Sequence, residues 1–282
     1  MIAKNPMQLK AFVKNKAKES GISAQLVMQN FMMERLLERI SLSEYRQNFI
    51  LKGGFLIAAI VGLDSRATMD MDATIKGFDL THESLQGIFE EISAIAIEDN
   101  ITFSVLRTTD IREGDIYPGL RVHLTANYPP LAVPLVVDIT TGDKITPREI
   151  EYDYRLMFDD RSISVMAYNL ETILAEKLET VLSRNIANTR PRDFYDIYIL
   201  NALRGAECDL PTLKLALAET TNRRGSEYVL GQYREIVSNI QDSQQMRSFW
   251  EKYRKEYTYA KDITFEDVCG SALLMMNSIE GI

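Results

Sequence analysis

The stretch from Leu51 to Asp72, LKGGFLIAAIVGLDSRATMDMD, constrains this chain more than any other. A Gly-Gly pair leads into the uninterrupted apolar run Phe55 to Val61. That pattern reads as a buried helix entered from a loop able to approach an anion closely. Further on, the spacing predicts a strand over 68–75, and a period of two would then turn Asp70 and Asp72 to one face. Two carboxylates a strand repeat apart suit a hard divalent cation such as Mg²⁺, with triphosphate oxygens completing its octahedral shell. A D-x-D pair by itself fits the solvent side of an edge strand, with Gly53-Gly54 an ordinary turn, far more readily than a metal site. Gly53-Gly54, an apolar helix, Arg66, Thr68 and D-M-D in one short span form a more specific combination.

The 282 residues, 46% hydrophobic and 26% charged, suffice for one large or two moderate cores. No apolar run approaches the roughly 20 residues of a membrane span, and the start MIAKNPMQLK lacks a signal-peptide apolar region. A cytoplasmic protein with no membrane partner is expected. Cys208 and Cys269 have no C-x-x-C or His neighbour, which argues against zinc or a disulfide framework and for two buried thiols. The net charge of -8 requires any RNA contact to be local, because phosphate binding depends on Lys and Arg.

Taken in order, an amphipathic helix over 7–18 precedes a second one that Ser23 caps and that runs to about Ile40. Thr81 opens a helix to about Glu98. The period then changes to two, with strands over 101–108, 120–128 and 131–140 separated by turn signals at Gly114, Pro118-Gly119 and Pro129-Pro130. In the last of these strands Asp138 stands among Val136, Val137 and Ile139. A carboxylate in that setting either lies at a solvated strand end or is paired with a cation or metal. Beyond Pro147 the pattern reads as a linker through Asp160-Arg161, then a short strand or turn over 164–168, then helix to the end of the chain.

Asn169 caps a helix whose apolar stripe is Ile173, Leu174, Leu178, Val181 and Leu182, with Lys177 on another, exposed face. After a polar turn, R-P-R-D-F-Y-D (Arg190 to Asp196) opens the next helix. Pro191 and Asp193 suit a helix start, while Lys177, Arg184, Arg190 and Arg192 together exceed what a helix start needs and suit triphosphate. WEKYRKEYTYAK (250–261) mixes aromatic and basic residues that could stack bases, although core packing of Trp250, Tyr253 and Tyr257 is the commoner use.

Two blocks, Lys52-Gly53-Gly54 through Arg66-Ala67-Thr68-Met69-Asp70-Met71-Asp72, and A-E-K-L with Arg184 followed by R-P-R-D-F-Y-D, resemble the AbiEii/AbiGii nucleotidyltransferase-type toxins of the DNA polymerase β-like superfamily. Together the blocks cover most of residues 50 to 200. The resemblance implies an α/β (α+β) fold: a mixed-sheet nucleotidyltransferase domain with N-terminal helices over 1–160, and a helical domain over 161–282 that completes the cleft. It implies catalytic roles for Asp70, Asp72, Lys177 and Asp193, and metal ligation by Asp70, Asp72 and, as third carboxylate, Asp138. It also implies nucleotide binding by Lys52, Gly53, Gly54, Arg66, Thr68, Arg190 and Arg192. One or two Mg²⁺ ions, a nucleoside triphosphate substrate, an RNA acceptor such as tRNA and an antitoxin from a neighbouring gene complete the expectation, with a role as toxin or phage-defence protein. The family's small hydroxyl residue after the glycine pair is Phe55 here. The rival reading is an inactive transferase fold kept for binding nucleotide or protein. Three carboxylates that repel one another without metal count against that rival.

Overall fold

The computed structural model describes residues 5–111 and 119–282. The turn signals at Gly114 and Pro118 fall outside them. The chain forms two compact units, Met1–Asp143 with Ile150–Ala167, and Lys144–Glu149 with Tyr168–Ile282.

The first unit is a mixed sheet with helices against it. Helix α1 (Pro6–Ser20) starts at Asn5, whose side chain accepts from the Gln8 amide, and α2 (Ala24–Leu42) starts at Ser23, which accepts from the Leu26 amide. Strand β1 (Phe49–Lys52) runs into α3 (Gly53–Val61), and β2 (Met71–Ile75) is followed by α4 (His82–Ala94), opened by a reciprocal Thr81–Ser84 capping box. Strands β3 (Thr102–Ile111), β4 (Gly119–Tyr128), β5 (Leu131–Thr141), β6 (Ile150–Arg155) and β7 (Ser162–Ala167) complete the set. The order is β3-β4-β5-β2-β1-β7-β6, with β2/β5 and β1/β7 parallel and the other pairs antiparallel.

Along β4 the alternation is strict: Leu120, Val122, Leu124 and Ala126 are buried, and Arg121, His123, Thr125 and Asn127 half-buried. β5 repeats this with Val137 and Ile139 inward and Asp138 on the other face. One face of the sheet therefore makes core and the other is polar.

The structure corrects the sequence reading in three places. The region read as a linker holds the β6–β7 hairpin, whose outer strand alternates Ile150, Tyr152 and Tyr154 with Glu151, Asp153 and Arg155 but is largely exposed, Tyr154 alone being buried. Strand β1 escaped notice because four buried residues are too few to show a period. Strand β2 begins at Met71, so Asp70 stands one residue ahead of it. Lys52↔Asp72 is the last pair before β1 turns into α3, which leaves Asp70 no β1 residue to pair with.

Charge is also buried in the scaffold. Arg39 of α2 forks onto Asp99 at 2.9 and 3.0 Å and reaches the Ile101 carbonyl, while Arg35 bridges Glu34 and Glu38. These ions are scaffold: paired and hydrogen-bonded, they fix α2 against the chain entering β3.

The second unit contains helices α5 (Leu170–Arg184), α6 (Pro191–Arg204), α7 (Leu210–Arg224), α8 (Val229–Asp242), α9 (Gln244–Glu256) and α10 (Phe265–Glu280). Trp250 is fully buried and its indole N–H donates to the Ile263 carbonyl. Tyr253 is buried beside it, and Tyr257 and Tyr259 are half-buried around them, so the 250–261 aromatics are chiefly core. Cys269 is buried as expected; Cys208 is only half-buried, since it follows a 3₁₀ turn instead of lying within a helix. Among the described residues no helix is long and apolar enough to cross a membrane.

Candidate active site

Strand register assembles the first cluster. Arg121 on β4 pairs with Asp138 on β5, Asp138 with Asp72 on β2, and Asp72 with Lys52 on β1. Directly opposed residues share a face, so four adjacent strands carry a row of cation, carboxylate, carboxylate and cation on the polar side.

The two cations at its ends are held differently. Arg121 donates from Nε to Asp138 Oδ1 at 2.7 Å and from Nη2 to Asp138 Oδ2 at 2.8 Å. Its pKa is raised first by the hydrogen bond to Asp138, against some desolvation, and further by the charges of Asp138, Asp70 and Asp72. Three carboxylates thus bear on this one guanidinium. Lys52 turns from the row to donate to Thr140 Oγ1 at 2.6 Å and to pair with Asp143. Burial would raise the Asp143 pKa, but the Lys52 charge and hydrogen bonds from Lys52, Thr140 and Thr74 outweigh it and hold the carboxyl down at about 2.

The glycine turn lies on the same row. Gly53 has φ +65°, a left-handed conformation, and a Cβ there would fall 2.2 Å from Asp72 Oδ2. A Cβ on Gly54 would meet Thr68 Oγ1 at 3.0 Å and the Arg66 guanidinium at 3.2 Å. The pair is therefore small because Asp72, Thr68 and Arg66 close on it, a reason beyond the phosphate approach read from sequence. Arg66 is buried and donates to the Ala67 carbonyl, and Thr68 Oγ1 donates to the Asp70 carbonyl at 3.3 Å. Asn30 of α2 fixes the same segment, donating to Thr68 O at 2.7 Å. Phe55 is in the core, stacked on Tyr154 of β6 with centroids 5.7 Å apart.

The second cluster lies on α5 and α6. Asn169 caps α5, and Pro191 at the start of α6 sets Asp193 in its first turn. Lys177 Nζ reaches Asp193 Oδ1 at 2.7 Å and Asp196 Oδ2 at 2.8 Å. The lysine side chain is 18% exposed and both carboxylates are buried, so the exposed face expected for Lys177 is instead the inside of a salt-bridged cluster. Asp193 Oδ2 is buried without a hydrogen-bond partner. Arg190 and Arg192 are exposed.

Sequence reasoning missed Arg121 and Asp143. Arg121 could have been flagged by the alternation of R-V-H-L, which puts it on the face opposite Leu120 and Val122; Asp143, just past a strand end, carries no such signal.

Among the described residues no group of three or more His, Cys, Asp or Glu side chains is arranged as a metal site. A ligand set of two carboxylates is nevertheless what magnesium ordinarily takes from a protein, the other positions going to phosphate oxygens and water. Asp70 and Asp72 carry hard oxygen donors of that kind, and with Asp138 their charges bear on Arg121.

This architecture is that of a nucleotidyltransferase fold. A candidate nucleotidyltransferase from Helicobacter pylori superposes with TM-score 0.50 at 15% identity, over 92% of this chain and 98% of that one. The Helicobacter pylori protein JHP933 does so with TM-score 0.50 at 14% identity, over 92% and 95%. At such identities the likeness concerns the fold alone. Comparison with curated proteins yields no match. A family model described as "Nucleotidyl transferase AbiEii toxin, Type IV TA system" matches residues 35–269, and the chain belongs to that family of nucleotidyltransferase toxins. Membership makes it a transferase and implies a cognate antitoxin.

Proposed function

We propose that this toxin is a Mg²⁺-dependent, cytoplasmic enzyme that moves a nucleoside monophosphate from a nucleoside triphosphate to an RNA acceptor, tRNA being the expected one, within a toxin–antitoxin or phage-defence pair. The observation that carries the reading is the carboxylate row of the sheet, with Asp72 packed on the Gly53 turn and Asp70 beside it in the field of Arg121. Asp70 and Asp72 would hold the metal. Bound there, Mg²⁺ would offset charge on the attacking and departing oxygens of an in-line displacement. The acceptor hydroxyl oxygen bonds to the α-phosphorus and loses its proton, while the bond to the β-phosphate bridge breaks and pyrophosphate leaves.

The chain's own task is orientation and charge. Gly53 and Gly54 let Asp72, Thr68 and Arg66 close on the turn that leads into α3, whose N-terminal amides would attract phosphate. Lys52 positions rather than binds, tying the end of β1 to Thr140 and Asp143. On the helical unit, Lys177 offers a cation oriented by Asp193 and Asp196, with Asp193 able to help accept a proton, and Arg190 and Arg192 offer exposed guanidinia. The test is incubation of the purified chain with each α-labelled triphosphate and total RNA, with Mg²⁺ or with chelator. Label should enter RNA only with Mg²⁺, and expression of the neighbouring gene should relieve growth arrest; absence of label from every RNA with all four triphosphates would refute the proposal.

A further inference from the structure

Helix α1 carries charge unlike the rest of the chain. Within a protein of net charge -8, its 15 residues hold Lys10, Lys14, Lys16 and Lys18 against Glu19 as the one acid. Lys10, Lys14 and Lys18 recur at every fourth position, are all exposed, and are flanked by the exposed, uncharged Ala11 and Asn15. Successive members stand about 6 Å apart along the helix axis, so the row spans about 12 Å. Another stripe of the helix, Leu9, Val13 and Ala17, is buried where α1 packs on α2, and Phe12 packs on Phe158. Lys16 is half-buried and lies off the row.

The fold gives no account of the row. Among the described residues no acid pairs with Lys10, Lys14 or Lys18. Like charges four residues apart oppose helix formation, and Lys18 alone stands in the last turn, where a cation offsets the helix dipole. Regularly spaced cations complement a polyanion whose charges are regularly spaced, as the phosphates of a nucleic-acid strand are. A lipid surface is the poorer match, since an interfacial helix buries its apolar face in the membrane and α2 already covers that face of α1. The α1–α2 pair is also tied to the candidate site, because Asn30 of α2 donates to the Thr68 carbonyl, two residues ahead of Asp70.

We propose that Lys10, Lys14 and Lys18 form a contact surface for the phosphate backbone of the acceptor RNA, holding it by charge without reading its bases. The inference rests on the RNA-acceptor reading above. It gives a chain of net negative charge a local place to engage RNA, and it separates holding the acceptor from the chemistry at the carboxylates.

Fluorescence anisotropy of labelled bulk tRNA, titrated with the full-length chain between about 50 and 200 mM KCl, tests this. Each lysine on a phosphate contributes about 0.7 to 0.9 to the slope of log affinity against log salt, so Lys10→Gln/Lys14→Gln/Lys18→Gln should lower that slope by about 2 to 3 and weaken binding at least about tenfold at the lower salt. Lys14→Gln should lower the slope by about 1. Lys16→Gln removes the same charge from the same helix off the row, and should bind within about twofold of wild type with the slope unchanged. Melting curves establish that each variant is folded. In the transfer assay the triple variant should raise KM for RNA at least about tenfold and leave KM for triphosphate unchanged. A triple variant with the wild-type slope, or a Lys16→Gln loss equal to that of Lys14→Gln, would overturn the inference; so would row-dependent binding to phosphatidylglycerol vesicles with RNA binding unchanged. Label transfer by wild type with an unaltered RNA KM in the triple variant would refute the contact surface and leave the transferase reading standing. Row-dependent RNA binding without transfer of label from any triphosphate would refute the transferase reading and leave the contact surface standing.

Discussion

The sheet and the helical unit each present a small cluster of acids around a base, but they hold it in opposite ways. On the sheet, register brings Arg121, Asp138, Asp72 and Lys52 into one row across adjacent strands, with the Arg121 side chain 38% and the Asp138 side chain 17% exposed. On the helices, one lysine sits between two carboxylates of which Asp196 is fully inaccessible and Asp193 nearly so. A charge at an open surface can be neutralised at little cost to the fold, whereas a charge that also closes a buried cluster cannot. Variants in the two regions should therefore separate activity from stability unequally.

Lys177→Ala should have the largest effect on the fold. It removes the lysine held between two buried carboxylates, and breaking a buried pair in this way ordinarily costs about 3–5 kcal/mol. Thermal melting should show a fall of many degrees along with lost transfer; an unchanged melting curve would move Lys177 to the same open class as the sheet cluster. Gly53→Ala should come next, with about 1–2 kcal/mol from the left-handed backbone alone and more from the 2.2 Å approach to Asp72 Oδ2. Because the displaced group is Asp72 itself, Mn²⁺ affinity should fall together with the melting temperature.

Acid sharpens the contrast further. Asp143 is held at about 2, against an ordinary 3.8. A depressed carboxyl stabilises the fold above its unfolded value and loses that contribution as pH falls through the folded one. About 2 kcal/mol should therefore disappear between roughly pH 4 and 2, and denaturant midpoints of Asp143→Asn should show a shallower decline over that range than wild type. Arg190→Ala and Arg192→Ala, at exposed positions, should change stability by less than about 0.5 kcal/mol while raising KM for triphosphate or RNA severalfold.

What could be read from sequence follows the same physical line. The Gly-Gly turn, the apolar helix and D-M-D were legible because they are local, and Ser23, Thr81 and Asn169 because caps need particular side chains at particular places. The fork of Arg121 on Asp138 was not, since it depends on the register of two strands whose residues are 17 apart in sequence. Lys177 was assigned an exposed face because its helical position lies off the apolar stripe. Only the tertiary placement of Asp193 and Asp196 turns that polar face inward. Strand β6 does carry a period of two, Ile150, Tyr152 and Tyr154 against Glu151, Asp153 and Arg155, but as a short, mostly exposed edge strand with a charged outer face it resembles a polar linker in composition.

In the proposed mechanism Asp72 serves metal-dependent transfer and not the fold. This role is tested most directly by measuring labelled nucleotide transfer and thermal melting side by side in wild type and Asp72→Asn. Transfer should fall on the order of 10³-fold or more in saturating Mg²⁺, since several kcal/mol of metal stabilisation would be lost. The melting temperature should stay within about 2 °C of wild type or rise slightly, as a half-exposed carboxylate loses a charge beside like charges. Wild-type transfer by a folded Asp72→Asn chain would contradict the proposed role of Asp72.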